Sequence, residues 1–153
     1  MIDQRVKCQV CGSKSLERLL DLGYQPLCND FLPADDPPLP QTFYPLCLCY
    51  CHDCALAQLD YVIPTVVAFG NQYTYLTGSS RSLIDYYEAL AQQLNQQFNL
   101  SPGDVVVEIG SNDGPFLKSL SSLRMNTLGV EGSPQAAAIS LAAGIPTIDR
   151  FFG

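Results

Sequence analysis

Two Cys-x-x-Cys turns, Cys8-Gln-Val-Cys11 and Cys51-His-Asp-Cys54, stand about forty residues apart in a chain of 153. A turn of this spacing presents two thiolates to one ion. Two such turns complete a tetrahedral four-thiolate zinc site with Zn–S distances of about 2.3 Å. That site leaves no coordination position open for water, so its role is structural. A loop-rich segment of about sixty residues is short of apolar core, and the metal's binding energy then serves as folding energy. Zinc held by Cys8, Cys11, Cys51 and Cys54 therefore constrains the first part of the chain more than any other feature.

All seven cysteines fall before residue 55, and Met1-Ile-Asp-Gln-Arg-Val-Lys7 has no apolar core of a secretion signal. Thiols in that setting favour metal ligation over disulfides and point to a soluble, cytoplasmic protein. Cys47, Cys49 and Cys51 alternate, so they share one face of a regular strand. Cys28, Cys47 and Cys49 read as small buried hydrophobes. His52, the single histidine, reads as an exposed turn residue rather than a ligand. The formal net charge is −7 with only 8 Lys and Arg, which argues against nucleic acid or an anionic membrane surface as partner. The uncharged stretch from Tyr61 to Ser80 is interrupted by Pro64, Gly70, Asn71 and Gln72 and falls short of the ~20 apolar residues a membrane span needs.

The rhythm of the chain gives an α/β fold in two dissimilar parts. The proline cluster from Pro33 to Pro45 predicts extended loop. Phe43–Cys51 predicts a strand into the second turn, with Ala55–Tyr61 returning, as in a zinc ribbon. Ser82-Leu-Ile-Asp85 has the form of a capping box. The helix that follows gathers Leu83, Tyr87, Leu90, Leu94 and Phe98 on one face, with Ile84 and Ala91 beside them. Ser101-Pro-Gly103 ends it. Val105–Ile109 then predicts a buried parallel strand. Pro115 starts a helix to about Leu123, and Thr127–Glu131 is a second strand. Ser133 and Pro134 open a helix that Gly144 closes, and Ile145–Ile148 begins a third strand. The β-α-β-α-β order is the first half of a doubly wound, Rossmann-like sheet. The expected division is a zinc-binding module over 1–62, a connecting aromatic loop and amphipathic helix over 63–103, and a truncated cofactor-binding domain over 104–153. Three strands do not complete such a sheet, so the expectation is the N-terminal part of a longer protein.

Glu108-Ile-Gly-Ser-Asn-Asp-Gly114 lies between a strand and a helix. Gly110 permits a tight turn and Gly114 close helix–strand packing. Glu131 ends the next strand, where an acid can accept hydrogen bonds from ribose hydroxyls. Glu108, ahead of the first glycine, can face the cationic end of S-adenosylmethionine. Asn71-Gln-Tyr-Thr-Tyr-Leu-Thr-Gly-Ser-Ser80 places Tyr73 and Tyr75 two residues apart. From composition alone that stretch reads as an aromatic packing loop, although phenols can also orient a hydroxylated substrate or relay protons.

Taken together these segments resemble the sugar C-methyltransferases of deoxysugar biosynthesis. The match includes both cysteine pairs, Asp21-Leu-Gly-Tyr-Gln-Pro-Leu27 with Asn29-Asp-Phe-Leu32, and Tyr73-Thr-Tyr-Leu-Thr-Gly-Ser-Ser80. It continues through Val107-Glu-Ile-Gly-Ser-Asn-Asp-Gly114, Gly129-Val-Glu131 and Gly144-Ile-Pro146. The resemblance implies an S-adenosylmethionine-dependent enzyme that methylates a nucleotide-linked 4-keto-deoxysugar. Glu108, Gly110, Ser111, Asn112, Asp113, Gly114 and Glu131 would contact the cofactor. Tyr75, or else Tyr73, would lie at the sugar pocket. The family's principal histidine base would lie beyond Gly153. In three departures, Asp85-Tyr86-Tyr87 stands where family members often carry a histidine, Gly132 where a proline commonly follows the acid, and Cys28 in place of a small residue. A second reading is a non-enzymatic zinc-binding interaction module whose α/β half is a degenerate scaffold.

Overall fold

The computed structural model describes residues 3–4, 7–32, 34, 41–70 and 73–153. Most of the proline-rich segment, together with Asn71 and Gln72, lies outside the described residues. The chain divides into two units, Met1–Ala68 and Phe69–Gly153. The expected connector over 63–103 is thus split, with residues 63–68 in the first unit and the rest, including the amphipathic helix, in the second.

The first unit is antiparallel. Strand β1 (Asp3–Gln4) pairs with β5 (Tyr61–Val62), and β2 (Leu16–Pro26), β3 (Phe43–Cys51) and β4 (Ala57–Leu59) form a three-stranded sheet in that order. A short helix, α1 (Thr65–Ala68), follows. The cysteines of β3 alternate with its other residues, and Cys47, Cys49 and Cys51 are all buried, as period 2 dictates. Among the described residues the buried apolar ones of this unit are Cys8, Cys47, Cys49, Cys51 and Tyr61, whereas Leu19, Leu20, Leu22 and Tyr24 of β2 are exposed. A core made chiefly of thiols removes little apolar area from water, so at about 25 cal/mol per Å2 it stabilises the unit weakly.

The second unit has helices packed on a parallel sheet. Helix α2 (Arg81–Phe98) precedes the run β6 (Val105–Ile109), α3 (Pro115–Ser122), β7 (Asn126–Glu131), α4 (Pro134–Ala142) and β8 (Thr147–Asp149). The strands lie in the order β6-β7-β8, and both pairings are parallel. Ala91 of α2, Leu117 and Leu120 of α3, Met125 and Ile145 form the buried core, with Leu100, Val106, Phe116 and Leu123 packed against it. The strand is not buried on both faces as expected: Val105, Val107 and Ile109, which alternate with Val106 and Glu108 along β6, are 69%, 52% and 58% exposed.

Helix α2 starts one residue before the expected capping box. Its N-cap is Ser80, whose side chain makes no capping bond, and Asp85 pairs with Arg81 at 2.9 Å. The box fails because Ser82 lies inside the first turn, where its hydroxyl meets that of Ser80 at 3.1 Å. The helix ends at Asn99, which adopts a left-handed φ of 50° and stops the chain before Ser101 is reached. Phe98, expected on the packed face, is 63% exposed, and Leu100 packs against the core instead.

Candidate functional site

The two Cys-x-x-Cys turns share one backbone construction. In the first, the Gly12 N–H donates to the Cys8 carbonyl at 3.0 Å and the Cys8 N–H to the Ser13 carbonyl at 2.7 Å. In the second, the Ala55 N–H donates to the Cys51 carbonyl at 2.8 Å and the Cys51 N–H to the Leu56 carbonyl at 2.9 Å. Each turn closes on a left-handed residue, Gly12 at φ 73° and Ala55 at φ 60°. The two constructions bring all four sulfurs within 4.8 Å of one another. Cys8 Sγ lies 3.6 Å from Cys54 Sγ, and Cys11 Sγ lies 3.6 Å from Cys51 Sγ. A disulfide would need about 2.05 Å. A zinc–tetrathiolate with bonds of about 2.3 Å has edges of about 3.8 Å, so the set fits zinc.

The electrostatics of the set point the same way. The Cys8 thiol is pulled down to about 6, chiefly by the Cys11 backbone N–H and against the raising effect of burial. For Cys54 the Leu56 backbone N–H lowers the value, but burial and the thiols of Cys11, Cys8 and Cys51 push it up to about 12. Four thiolates this close repel one another, and a bound cation would offset that repulsion. His52 stands apart. Its Nε2 lies 2.9 Å from Glu17 Oε2, and its ring meets Tyr50 edge-on.

In the second unit the candidate cofactor turn carries positive φ at alternate residues: 75° at Gly110, 51° at Asn112 and 83° at Gly114. A Cβ at Gly114 would come within 2.6 Å of Ser140 Oγ, which is why α3 can start so close to α4. Glu131 is tied to the turn and to its own strand end. Its Oε2 accepts the Asn112 N–H at 2.8 Å and its Oε1 the Ser133 N–H at 2.7 Å. Burial first, and the charge of Glu131 second, push the Glu108 carboxyl up to about 7. Glu108 Oε2, Ser111 Oγ and Ser133 Oγ are buried with no hydrogen-bond partner among the described residues.

The side chains of Asn112 and Asp113 face the aromatic loop. Asn112 Oδ1 accepts the Thr77 N–H at 3.0 Å, and its Nδ2 donates to the Tyr75 carbonyl at 3.0 Å. Both carboxylate oxygens of Asp113 accept the Gly78 N–H, at 3.0 and 3.1 Å. The turn thus positions the segment that carries Tyr75, which is 40% exposed, with the ring of Tyr73 6.4 Å away. A cleft of about 620 Å3 between α2, α3 and α4 is lined by Arg81, Glu88, Asp113 and Lys118 among others. It includes neither Glu108 nor Glu131, so it is not the cofactor position that the turn would define.

Residues 8–69 match a family whose description is a zinc binding domain. The match covers most of the first unit and includes all four converging cysteines. Over 146 residues, 95% of this chain, the sequence is 30% identical to the C-methyltransferase NovU of Streptomyces niveus. The chain spans 34% of that relative's length. No helix among the described residues is long and apolar enough to cross a membrane.

Within the zinc-binding module the structure also shows a grouping that the sequence reading did not assemble. Cys47 and Cys49 meet Asp60, which follows β4, and all three are buried. The alternation of Cys47 and Cys49 was visible in the sequence, but Asp60 joins them only through pairing of β3 with β4.

Proposed function

We propose that the chain is the N-terminal portion of an S-adenosylmethionine-dependent C-methyltransferase acting on a nucleotide-linked 4-keto-deoxysugar in the cytoplasm. The observation that carries the reading is the bond between Glu131 and the Asn112 N–H, which fastens an acid at the end of β7 to the turn after β6. The parallel β6-β7-β8 order fits the first half of a Rossmann-like sheet, whose ligands lie beyond the carboxyl ends of the strands. Each Glu131 oxygen keeps a lone pair after accepting its backbone N–H, so the carboxylate can also receive ribose hydroxyls. The orphaned oxygens of Glu108, Ser111 and Ser133 fit a polar ligand at this place.

The cofactor supplies an electrophilic methyl group. The turn from Gly110 to Gly114, with Glu108 and Glu131, would hold it, and Asn112 and Asp113 would set the loop that bears Tyr73 and Tyr75. In the reaction a base would remove the proton next to the sugar ketone, leaving that carbon nucleophilic; the methyl group it takes would leave the C–S electron pair on sulfur, with S-adenosylhomocysteine as the leaving group. The phenol of Tyr75, or else Tyr73, would orient the sugar and donate to the developing enolate oxygen. Zinc takes no part in these steps, because four thiolates fill its coordination shell.

Backbone NMR of the isotopically labelled chain titrated with S-adenosylhomocysteine tests the reading. Shifts should concentrate at the amides of residues 109–114 and 131–133. Shifts confined to residues away from this turn would favour the non-enzymatic interaction module.

A further inference from the structure

We propose that the zinc-binding module holds a second metal site, distinct from the four-thiolate set, formed by Cys47, Cys49 and Asp60. Its occupant would be a thiophilic divalent cation such as zinc or cadmium. The donor atoms of the three residues lie within 4.8 Å of one another, the same limit that holds for the four sulfurs of the first set. Their relative exposures are 3%, 2% and 4%.

The construction explains the convergence. Cys47 and Cys49 are two apart on β3 and so point to one face. The Asp60 N–H donates to the Cys47 carbonyl at 3.1 Å, which holds the acid beside the strand that carries both thiols. Arg18 lies opposite Cys49 in the β2–β3 register, and its Nη2 donates to Asp60 Oδ2 at 2.8 Å. A divalent cation would neutralise the thiolates and the carboxylate that bind it, and paired charge is the form in which buried charge is tolerated. Two thiolates and one carboxylate suit a borderline or soft cation and leave the fourth tetrahedral position to water. The competing account is two buried thiols packed as hydrophobes beside an ordinary Arg18–Asp60 ion pair.

Zinc titration of the chain followed by native mass spectrometry separates the two accounts. The proposal expects two ions per chain at saturation, the second bound more weakly than the first. The double variant Cys47→Ala/Cys49→Ala should keep the first ion and lose the second. Asp60→Asn should weaken the second by at least the roughly 10–100-fold that even an outer partner of a metal ligand is worth. Cobalt added to the chain with its first site zinc-filled should produce thiolate-to-cobalt charge-transfer absorption without releasing zinc, which distinguishes the site from surface carboxylates. A wild-type chain that saturates at one ion overturns the proposal. So does a second ion that gives no charge-transfer band, whatever the variants do. If the double variant fails to fold, the wild-type stoichiometry and the cobalt band still decide.

Discussion

Ala55 closes the second cysteine turn in the same left-handed conformation, φ 60°, that Gly12 adopts at φ 73° in the first. Both donate to the carbonyl of the leading cysteine of their turn. Only one of them is the residue that prefers this conformation. A Cβ in the left-handed region costs roughly 1–2 kcal/mol, part of which glycine returns through its greater freedom in the unfolded chain. Ala55→Gly is therefore expected to stabilise the zinc-binding module by about 1 kcal/mol, seen as slower zinc loss to a chelator. Faster loss would show that the Ala55 methyl contributes packing that outweighs the strain.

Removing a ligand should have a larger effect. Cys8→Ser takes one donor from a unit whose buried apolar residues are mostly cysteines, and its first ~60 residues should unfold because metal binding is folding energy there. Cys28 is exposed, not buried as expected with Cys47 and Cys49, and Cys28→Ser should stay within about 0.5 kcal/mol of the parent. Circular dichroism with and without zinc distinguishes the two variants. Equal behaviour would refute the assignment.

Glu108 makes stability depend on pH. Its carboxyl stands at about 7 against an ordinary 4.5, first through burial and then through Glu131. The folded state therefore holds the proton more tightly than the unfolded one. Its stabilising contribution is complete below pH 4.5 and is lost as pH rises to about 7. Glu108→Gln should match the parent at low pH and exceed it above pH 7 by roughly 1–2 kcal/mol once solvent screening is allowed for. Denaturant melts across that range that run parallel for the two proteins would contradict this.

Asp113 holds the loop before α2 through the Gly78 N–H. Losing a hydrogen bond to a charged group costs roughly 1.5–3 kcal/mol. In Asp113→Ala the Gly78 amide should exchange about 10–100 times faster, with little change at the core amides of α3. Unaltered exchange at Gly78 would mean that the loop is held by other contacts.

Much of this arrangement is readable from local sequence. The four-cysteine set follows from spacing, since each turn is a short, self-contained construction. Val105–Ile109 and the helices opened by Pro115 and Pro134 appear where the apolar runs and prolines place them. What escaped depends on residues distant in sequence. Strand β2 owes its extended form to antiparallel pairing with β3, while its leucines at positions 16, 19, 20 and 22 break period 2 at Leu19. Asn112 and Asp113 read as cofactor residues because of the motif around them, and their side-chain bonds to Tyr75, Thr77 and Gly78 span about 35 residues. The grouping of Asp60 with Cys47 and Cys49 likewise needs the sheet register.

Zinc-edge X-ray absorption of the chain carrying one equivalent of zinc tests the central claim most directly. Convergence of Cys8, Cys11, Cys51 and Cys54 predicts a first shell of four sulfurs at about 2.3 Å with no nitrogen or oxygen neighbour. A shell containing an imidazole nitrogen from His52, or oxygen in place of sulfur, would contradict it.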